Sequence, residues 1–283
     1  MRRVFVDSEA VELAPFRSLK VRHSKKNNIF IVESKAAVLS LLKTGLEIIS
    51  CLTTPEVYES FCKKTPAFKK LTIPAYLLKR DEIEKLIGFR FHQGILAAVA
   101  SPKRKNFSQV FKAVGKPHLF VALNGVHDPQ NVGMIIRNAT AFAADAVIVD
   151  RLTCEPYYRK VVRVSMGSIF NTKIAYEDNL AAALSDIRKK SALRVIVPLL
   201  KGAECDIGDV DFSGDICFVF GNEADGASKD IMRLADVAVR IPHCFKNIQS
   251  LNVACASAIF LHEAYRQRKG KVGQRGLSVK IIN

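Results

Sequence analysis

The feature that most constrains this sequence is the alternation of short apolar runs with helical segments beyond residue 117. The run Leu119–Leu123 contains no polar residue, as expected for a strand that is covered on both faces. Strands that are separated by helical segments form a mostly parallel sheet with helices on both faces. We therefore predict an α/β fold, with strands at 119–123, 146–149, 193–199, 216–220 and 237–241 and helices at 131–142, 157–164, 180–189 and 250–268.

The first hundred residues alternate in the same way over a shorter stretch. This alternation predicts a smaller, compact α/β domain of about 100 residues. The segment Ser101–Asn106 combines a proline with three basic residues and no apolar side chain, which predicts a linker. The alternative is an exposed loop inside one domain, but the net charge of the chain changes at the same place, which favours the linker. The predicted domains are 1–105, including the linker, and 106–270, followed by a basic tail at 271–283. Within the first domain we predict strands at 29–33, 46–52 and 94–100 and helices at 34–42, 55–62 and 80–87.

Positive charge is concentrated at the two ends of the chain, which has a formal net charge of +16. Residues 1–110 contain 20 basic and 10 acidic side chains, residues 111–263 contain 17 of each, and residues 264–283 contain 6 basic and no acidic ones. Such an asymmetry indicates a polyanionic partner, for which a phosphate backbone is the usual candidate. We favour a nucleic acid over a solubilising surface or a tail for acidic lipids.

The sequence argues against several other classes of protein. No stretch reaches about 18 uninterrupted apolar residues, so no transmembrane helix is expected. The start, from Met1 to Glu9, meets an acidic pair before any long apolar run, which is unlike a secretory signal and predicts a cytoplasmic protein. The seven cysteines are scattered without a C-x-x-C pair, so neither a disulfide framework nor a zinc site is expected.

Ligands of parallel sheets bind beyond the carboxyl ends of the strands, where three segments carry candidate functional residues. The first is 124–137, in which Asn131 and Arg137 lie near a predicted helix start and Gly133 permits close backbone approach. Free amides at a helix start hold anions, and the Arg137 guanidinium offers a fork of donors to a phosphate. The residues alone leave an alternative equally open, in which Asn131 caps the helix and Arg137 pairs with a carboxylate.

The second segment is Phe218–Ser228, where a predicted strand ends at Gly221 and a turn holds Glu223 and Gly226. Glycines at a strand-to-helix turn let a ligand reach the backbone. The G-x-E-x-x-G pattern lacks the G-x-G-x-x-G spacing of a dinucleotide site, and the chain has no G-x-x-x-x-G-K-[ST] sequence. NAD, FAD and an ordinary P-loop NTPase are therefore disfavoured.

The third segment is Arg240–Ala258, in which a strand ends near Ile241, a polar loop follows and a helix rich in small residues begins. Small residues indicate that this helix packs very closely against a neighbour. We expect Ser250 to be its N-cap. Asn252 lies in the predicted first turn of an otherwise apolar helix, where an amide needs a polar partner.

Taken together and in this order, the three segments resemble the motifs of the SpoU family, also called the TrmH family, of RNA ribose 2′-O-methyltransferases in the SPOUT class. The motifs are D-P-x-N-x-G-x-x-x-R at 128–137, G-x-E-x-x-G at 221–226 and I-P…S-L-N-V at 241–253, with a family-like 163–168 between the first two. The resemblance covers about residues 117–268. The first domain, which ends in His92-Gln-Gly-Ile-Leu-Ala-Ala, resembles the L30e-like RNA-binding domain that often precedes this catalytic domain.

The resemblance implies a deep trefoil knot at the carboxyl end of the sheet, one of the few exceptions to unknotted topology. It also implies S-adenosylmethionine as the cofactor, bound in the knot. Gly221, Ile241 and Leu251 match the family's cofactor-contacting positions, and we add Leu199 and Ser250 to them. Family members are usually dimers with the active site near the subunit interface, so a homodimer is expected.

The resemblance assigns the chemistry to Arg137, which matches the family's catalytic arginine. Because a guanidinium is always protonated, we expect Arg137 to clamp a phosphate and polarise the ribose hydroxyl rather than to act as a base. Asn131 is expected to orient the ribose or Arg137, while Glu223, Ser250 and Asn252 shape the site by hydrogen bonds. No Ser-His-Asp or Cys-His triad is needed, because the methyl group passes directly to the hydroxyl.

The third motif departs from the family pattern I-P-M-x-G. His243 stands for the methionine, Phe245 stands for the glycine and the loop is one residue longer, which predicts weaker or altered cofactor binding. For His243 we favour a tolerated loop substitution over a general base that titrates near neutral pH.

The predicted activity is therefore the S-adenosylmethionine-dependent methylation of a ribose 2′-hydroxyl in RNA. Ribosomal RNA is preferred, because an added L30e-like domain suits a structured loop that is recognised by shape, and transfer RNA is the alternative. The altered third motif motivates an alternative of another class, a non-enzymatic RNA-binding protein that kept the fold. A small-molecule methyltransferase fits poorly with the basic first domain.

Overall fold

The computed structural model describes residues 2–17, 19, 28–111, 115, 117–200, 202–244 and 250–271. Phe245 and residues 272–283 of the predicted basic tail lie outside these residues. In chain order the first elements are β1 (Arg2–Phe5), β2 (Ile29–Glu33), α1 (Lys35–Leu41), β3 (Ile48–Thr53), α2 (Pro55–Lys64), α3 (Pro66–Lys69), β4 (Pro74–Leu77), α4 (Arg80–Ile87) and β5 (Ile95–Ala100), with a 3-10 helix at Val11–Phe16.

The remaining elements follow beyond residue 106. They are α5 (Phe107–Val110), β6 (Leu119–Asn124), α6 (Pro129–Ala141), β7 (Ala146–Asp150), α7 (Arg159–Val164), β8 (Ile174–Glu177), α8 (Leu180–Arg188), β9 (Arg194–Pro198), β10 (Cys205–Asp206), β11 (Ile216–Gly221), α9 (Lys229–Leu234), β12 (Val237–Arg240) and α10 (Val253–Lys271).

The chain divides into two compact units. The first consists of Met1–Arg104, Asp128–Arg137 and Cys154–Thr172, and the second of Lys105–His127, Asn138–Thr153 and Lys173–Asn283. Two segments that the sequence analysis assigned to the second domain therefore group with the first unit. The predicted domain boundaries themselves stay a prediction.

The first unit is built on a mixed sheet of five strands in the order β1-β4-β3-β5-β2. β1, β4 and β3 are parallel, whereas β5 runs antiparallel to both β3 and β2. Local signals fix the helices between the strands, since Thr54 caps α2, a proline occupies its first position and Gly88 ends α4 at φ 81°. Its core includes Leu13, Phe16, Leu52, Ile83 and Leu96.

The second unit contains a sheet of seven strands in the order β10-β12-β9-β11-β6-β7-β8, and each pairing in the described residues is parallel. The central strands β6 and β11 are buried over their first five residues, which explains why their sequences are apolar without alternation. The prediction of an α/β fold with a mostly parallel sheet is confirmed. Its core includes Phe107, Phe120, Leu184, Val195 and Val219.

Arg268 fixes the C-terminal part of α10 within the second unit. Its guanidinium donates hydrogen bonds to the carbonyl oxygens of Phe212, Pro117, His118 and Gly214 at 2.6–3.0 Å. Burial lowers the pKa of this guanidinium from its ordinary value. The four carbonyl oxygens accept from the planar set of N–H donors of the guanidinium. A lysine ammonium group, with three donors on one nitrogen, would not replace it at this position.

The structure adds elements that the sequence patterns did not predict. β1, β4 and β8 have four residues each, and β10 has two, so each is too short to give a clear periodicity. The other boundaries agree to within a few residues, but the start of α10 was predicted at Ser250 and lies at Val253.

Three absences hold for the part of the chain that the structure describes. No helix there is long and apolar enough to span a membrane. No group of three or more histidine, cysteine, aspartate or glutamate side chains there is placed to hold a metal ion. The seven cysteines are free thiols.

Gly133 allows α6 to approach α7 at the level of the backbone. A β-carbon at this position would lie 2.9 Å from the Val161 carbonyl oxygen and 2.8 Å from Val164 Cβ. From the sequence, this glycine was expected to permit close backbone approach beside a bound anion. In the structure the close neighbour on its Cβ side is a helix.

We expect Gly133→Ala to lower the free energy of unfolding by about 1–3 kcal/mol, because a carbonyl oxygen of α7 cannot move aside as a flexible side chain would. Urea denaturation followed by circular dichroism measures the change. Gly208→Ala is the matched control, since nothing lies within 4 Å of a β-carbon there. Equal stability of the two variants would contradict the packing argument.

Candidate active site

The carboxyl ends of five neighbouring strands of the second unit form the edge at which three of the predicted cofactor residues lie. Along the sheet order β12-β9-β11-β6-β7, Ile241 follows β12, Leu199 follows β9 and Gly221 ends β11. The Leu199 amide donates to Val239 O at 2.9 Å, and Gly221 is in register with Asn124 at the end of β6. Parallel pairing therefore brings three of the predicted cofactor residues to one edge.

The turn after β11 folds back onto the strand end. The Asn222 and Gly226 backbones exchange two hydrogen bonds of 2.9 Å, and Gly226 has a φ of 72°. A β-carbon on Gly221 would lie 2.1 Å from Ala227 N, so only glycine fits at the strand end. Glu223 is exposed at the tip of this turn.

A network of polar residues that the sequence analysis missed joins the loops after β6 and β7. The buried Asp150 carboxylate accepts hydrogen bonds from Gly125 N, Thr153 N, Thr153 Oγ1, Leu152 N and Asn124 Nδ2, at 2.8–3.2 Å. Oδ1 accepts the bonds from the two backbone amides and the hydroxyl of the loop after β7 and from Gly125 N, and Oδ2 accepts the bond from Asn124. Asp150 thereby fixes the loop from which the first motif begins.

Two asparagines extend this network to the loop after β11. Asn124 Oδ1 accepts from Ser228 N at 2.7 Å, and Asn222 Nδ2 donates to Gly125 O at 2.9 Å. β6 and β11 are the neighbouring strands from which the chain continues in opposite directions along the sheet, so this is the topological switch point where α/β proteins bind ligands. The sequence indicated these two asparagines only by the presence of a polar residue where β6 and β11 end.

The first motif opens α6, and Asp128 is its cap. Asp128 Oδ1 accepts from Gln130 N at 3.0 Å and its carbonyl accepts from Val132 N at 3.1 Å. The alternative in which Asn131 caps this helix is therefore wrong, because Asn131 already lies inside the first turn.

The two predicted catalytic residues of α6 have different environments. Asn131 is buried, with 6% of its surface exposed, whereas Arg137 is exposed. Residues six apart leave an α-helix on different faces, about 9 Å apart along its axis. Asn131 and Arg137 of one helix are therefore not arranged for Asn131 to orient the guanidinium. Among the described residues no carboxylate forms an ion pair with Arg137, which disfavours the alternative of a structural pair.

The start of α10 corrects the assignment of its N-cap. Asn252 Oδ1 accepts from Ala254 N at 2.9 Å and from Cys255 N at 3.3 Å, so the cap is Asn252. Ser250 lies two residues earlier and is exposed, and its predicted role as N-cap is wrong. Leu251, between them, is half-buried.

Asn138 joins the C-terminal part of α6 to α10. Its amide Nδ2 donates to Ala254 O and to Ser257 Oγ, each at 2.9 Å. Ala254 and Ser257 are fully buried small residues, which confirms that α10 packs closely against a neighbour. The small residues were evident from the sequence, but the Asn138 side chain that bonds to them was not.

His243 has a defined contact within the altered third motif. Its Nδ1 lies 2.8 Å from Ile241 O, and because a carbonyl only accepts, Nδ1 carries the proton. The side chain thus closes the loop back onto the end of β12. This contact supports the interpretation of His243 as a loop residue.

The residues at this edge fit a heterocyclic cofactor. Leu199 and Ile241 are half-buried apolar side chains directly after β9 and β12, and Leu251 is a half-buried apolar side chain just before α10. Apolar side chains beside a few polar groups are the usual lining of a cofactor site. Exposed Glu223 and Ser250 add polar groups on the same unit. Asn131 and Arg137 lie on the part of α6 that groups with the first unit.

The fold and this edge define an α/β protein whose ligands bind at the carboxyl end of a parallel sheet. Residues 118–262 match the SpoU rRNA Methylase family. The protein is 36% identical over 194 residues to a 23S rRNA (guanosine-2′-O-)-methyltransferase RlmB of Acinetobacter baylyi, an alignment that covers 68% of this chain and 77% of the relative. The chain therefore belongs to the SpoU rRNA methylase family, and the family predicted from the three motifs is confirmed.

Solved structures agree with this assignment. An AdoMet-bound rRNA methyltransferase from Sinorhizobium meliloti matches with a TM-score of 0.75 at 26% identity, over 94% of this chain and 97% of that one. The SpoU methyltransferase AviRb from Streptomyces viridochromogenes matches with a TM-score of 0.79 at 22% identity, over 92% of this chain and 98% of that one, which shows a shared fold.

We expect Asp150→Asn to lower the free energy of unfolding by about 1–3 kcal/mol, because one carboxylate oxygen becomes an NH2 group that faces another donor. Chemical denaturation at neutral pH measures the loss. Asp178→Asn is the control, since Asp178 is exposed just after β8. A loss no larger than that of the control would show that the network contributes nothing.

Asn252→Ala is expected to lower the free energy of unfolding by about 1 kcal/mol, whereas Ser250→Ala changes it by less than about 0.5 kcal/mol. The two variants should differ in stability because the Asn252 side chain accepts hydrogen bonds from the Ala254 and Cys255 amides. Thermal melts of both variants test it, and the reverse order would restore Ser250 as the cap.

Proposed function

We propose that this protein transfers a methyl group from S-adenosylmethionine to a ribose 2′-hydroxyl of ribosomal RNA. The observation that carries the proposal is the family match over residues 118–262, joined by a relative named as a 23S rRNA (guanosine-2′-O-)-methyltransferase. The net charge of +16 supports an RNA substrate, because cationic side chains displace the counterions of a phosphate backbone.

The cofactor is held at the carboxyl edge of the second unit in this proposal. Leu199, Ile241 and Leu251 offer apolar surface to its adenine, and Gly221 and Ser250 offer backbone and hydroxyl contacts. When bound, S-adenosylmethionine supplies an electrophilic methyl group on a sulfonium. The AviRb structure in complex with AdoMet supports this choice, since the two chains share a fold.

Arg137 is the proposed catalytic residue. A ribose hydroxyl is a weak nucleophile that needs a polarising partner and fixed orientation. The Arg137 guanidinium is exposed, so it can clamp the phosphate next to the target ribose and donate a hydrogen bond to the 2′-oxygen. The hydroxyl proton leaves to the clamped phosphate. Asn131 is assigned the orientation of the ribose, and Glu223 and Asn252 are assigned hydrogen bonds that shape the site.

The same proposal includes finer features of the architecture. They are a trefoil knot at the carboxyl end of the parallel sheet, an L30e-like first domain at 1–105, a methyltransferase domain at 106–270, a homodimer and a cytoplasmic location. The mixed five-stranded sheet of the first unit supports an L30e-like domain. Half-exposed Met134 and Ile259 support a homodimer, because they are large apolar side chains on α6 and α10.

We expect Arg137→Ala to reduce methyl transfer at least about 100-fold while the cofactor still binds, because the guanidinium acts on the RNA and not on S-adenosylmethionine. Transfer of a radiolabelled methyl group to unmodified ribosomal RNA measures the rate, and calorimetry with S-adenosylmethionine measures binding. Unmodified transfer RNA is the second substrate tested.

Arg233→Ala is the control, since Arg233 is exposed on α9 and paired with Asp230. Full activity of Arg137→Ala would remove Arg137 from the mechanism. Absence of both cofactor binding and methyl transfer in the unaltered protein would favour an RNA-binding protein that is not an enzyme.

A further inference from the structure

The first unit contains a cavity of about 740 Å³ that none of the three motifs lines. It lies at the sheet edge where β2, β3 and β4 end and β5 begins. Its volume lies in the range of ligand pockets, about 300–1,000 Å³, and exceeds what a single inorganic anion needs. Its lining includes Ser34, Lys35, Glu56, Arg80, Arg163 and Met166.

The walls of this cavity carry an excess of positive charge. Lys35, Arg80 and Arg163 line it and are exposed, against a single carboxylate, Glu56. Arg80 pairs with Glu84 at 3.3 Å, but within the described residues neither Lys35 nor Arg163 forms an ion pair. Two cations are therefore available to a polyanion.

Backbone strain is concentrated at the same cavity. The described residues include four non-glycine residues with positive φ, and two of them, Ser34 at 104° and Met166 at 53°, line it. Such conformations are strained for residues other than glycine and cluster at functional sites. Met166 is moreover 62% exposed, so burial of its own side chain does not explain its conformation.

The segment that carries Arg163 and Met166 is firmly docked within the first unit. Arg159 Nη1 pairs with the buried Glu33 Oε2 at 2.7 Å, and its guanidinium lies 4.3 Å from the ring centroid of Phe89. Tyr157 packs on Phe30 with ring centroids 4.9 Å apart, and burial raises the pKa of Tyr157 to about 12. Contacts of the protein itself therefore hold the segment that carries Arg163 and Met166 in place.

We propose that this cavity binds unpaired nucleotides of the RNA substrate, at a subsite separate from the three motifs. Lys35 and Arg163 hold the phosphates, and the exposed thioether of Met166 contacts the face of a base. Unpaired nucleotides fit because their base faces are open, whereas those of a duplex are stacked. The assignment rests on the proposed function, since that function names RNA as the polyanion.

The first test measures the binding of a fluorescein-labelled oligouridylate and of a labelled RNA duplex by anisotropy, over a range of salt concentrations. We expect Lys35→Gln/Arg163→Gln to weaken oligouridylate binding about 10-fold and to reduce the slope of log K against log salt by about 1.4, since each contact to a single strand contributes about 0.7. The control is Lys63→Gln/Lys64→Gln, which removes the same charge from α2 in the same unit. Equal effects of the two pairs would overturn the proposal.

A second variant separates binding from folding. Met166→Gly removes the strained side chain, so it should weaken oligouridylate binding severalfold without changing the salt slope or lowering the melting temperature. Unchanged affinity, or tighter binding of the duplex than of the single strand, would contradict the assignment. Competition by inorganic phosphate at the same concentration as the RNA would identify a simple anion site instead.

Methyl transfer distinguishes failure of this proposal from failure of the proposed function. If the unaltered protein methylates RNA, the Lys35/Arg163 variant should raise KM for RNA about 10-fold and leave kcat unchanged. An unchanged KM would refute the subsite while the methyltransferase stands. If no methylation occurs but the variant loses RNA binding, the subsite stands and the proposed chemistry fails.

Discussion

The hydrogen bonds to the Asp150 carboxylate are the interaction on which the candidate active site depends. Parallel strands alone bring chain ends to one edge of a sheet, but they leave the loops beyond that edge without a fixed conformation. Asp150 accepts from three backbone amides, the Thr153 hydroxyl and the Asn124 amide, and Asn124 in turn accepts from Ser228 N. A buried network of this kind is stabilising because each donor has a partner.

Two motif glycines have a structural purpose that is distinct from ligand access. Gly133 admits the backbone of α7, and Gly221 admits the turn at Gly226. From sequence alone, the simplest interpretation of both glycines is that a ligand approaches the backbone at these positions. In the structure the chain itself occupies the space on the Cβ side, so these glycines shape the site by letting its own elements approach.

Much of the fold follows from local patterns, whereas parts of the site do not. The buried strands β6 and β11, the helix α4 and the predicted family were all identified from sequence, because apolar runs and motif spacing are local signals. Ser250 was predicted as an N-cap and Asn131 was left open as one, and neither caps its helix, since several residues near each helix start have suitable side chains. Only the path of the chain selects Asp128 and Asn252 among them.

The sequence by itself determined the α/β class, the three motifs and the basic character of the chain, each of which depends on residue type and spacing. Tertiary structure alone decided that Asp150, Asn124 and Asn222 join separate loops and that Arg163 and Met166 line a cavity of the first unit. The reason is physical: these contacts depend on strand order and on backbone dihedral angles. They join residues that are far apart in the chain, and a local sequence pattern contains no information about such contacts.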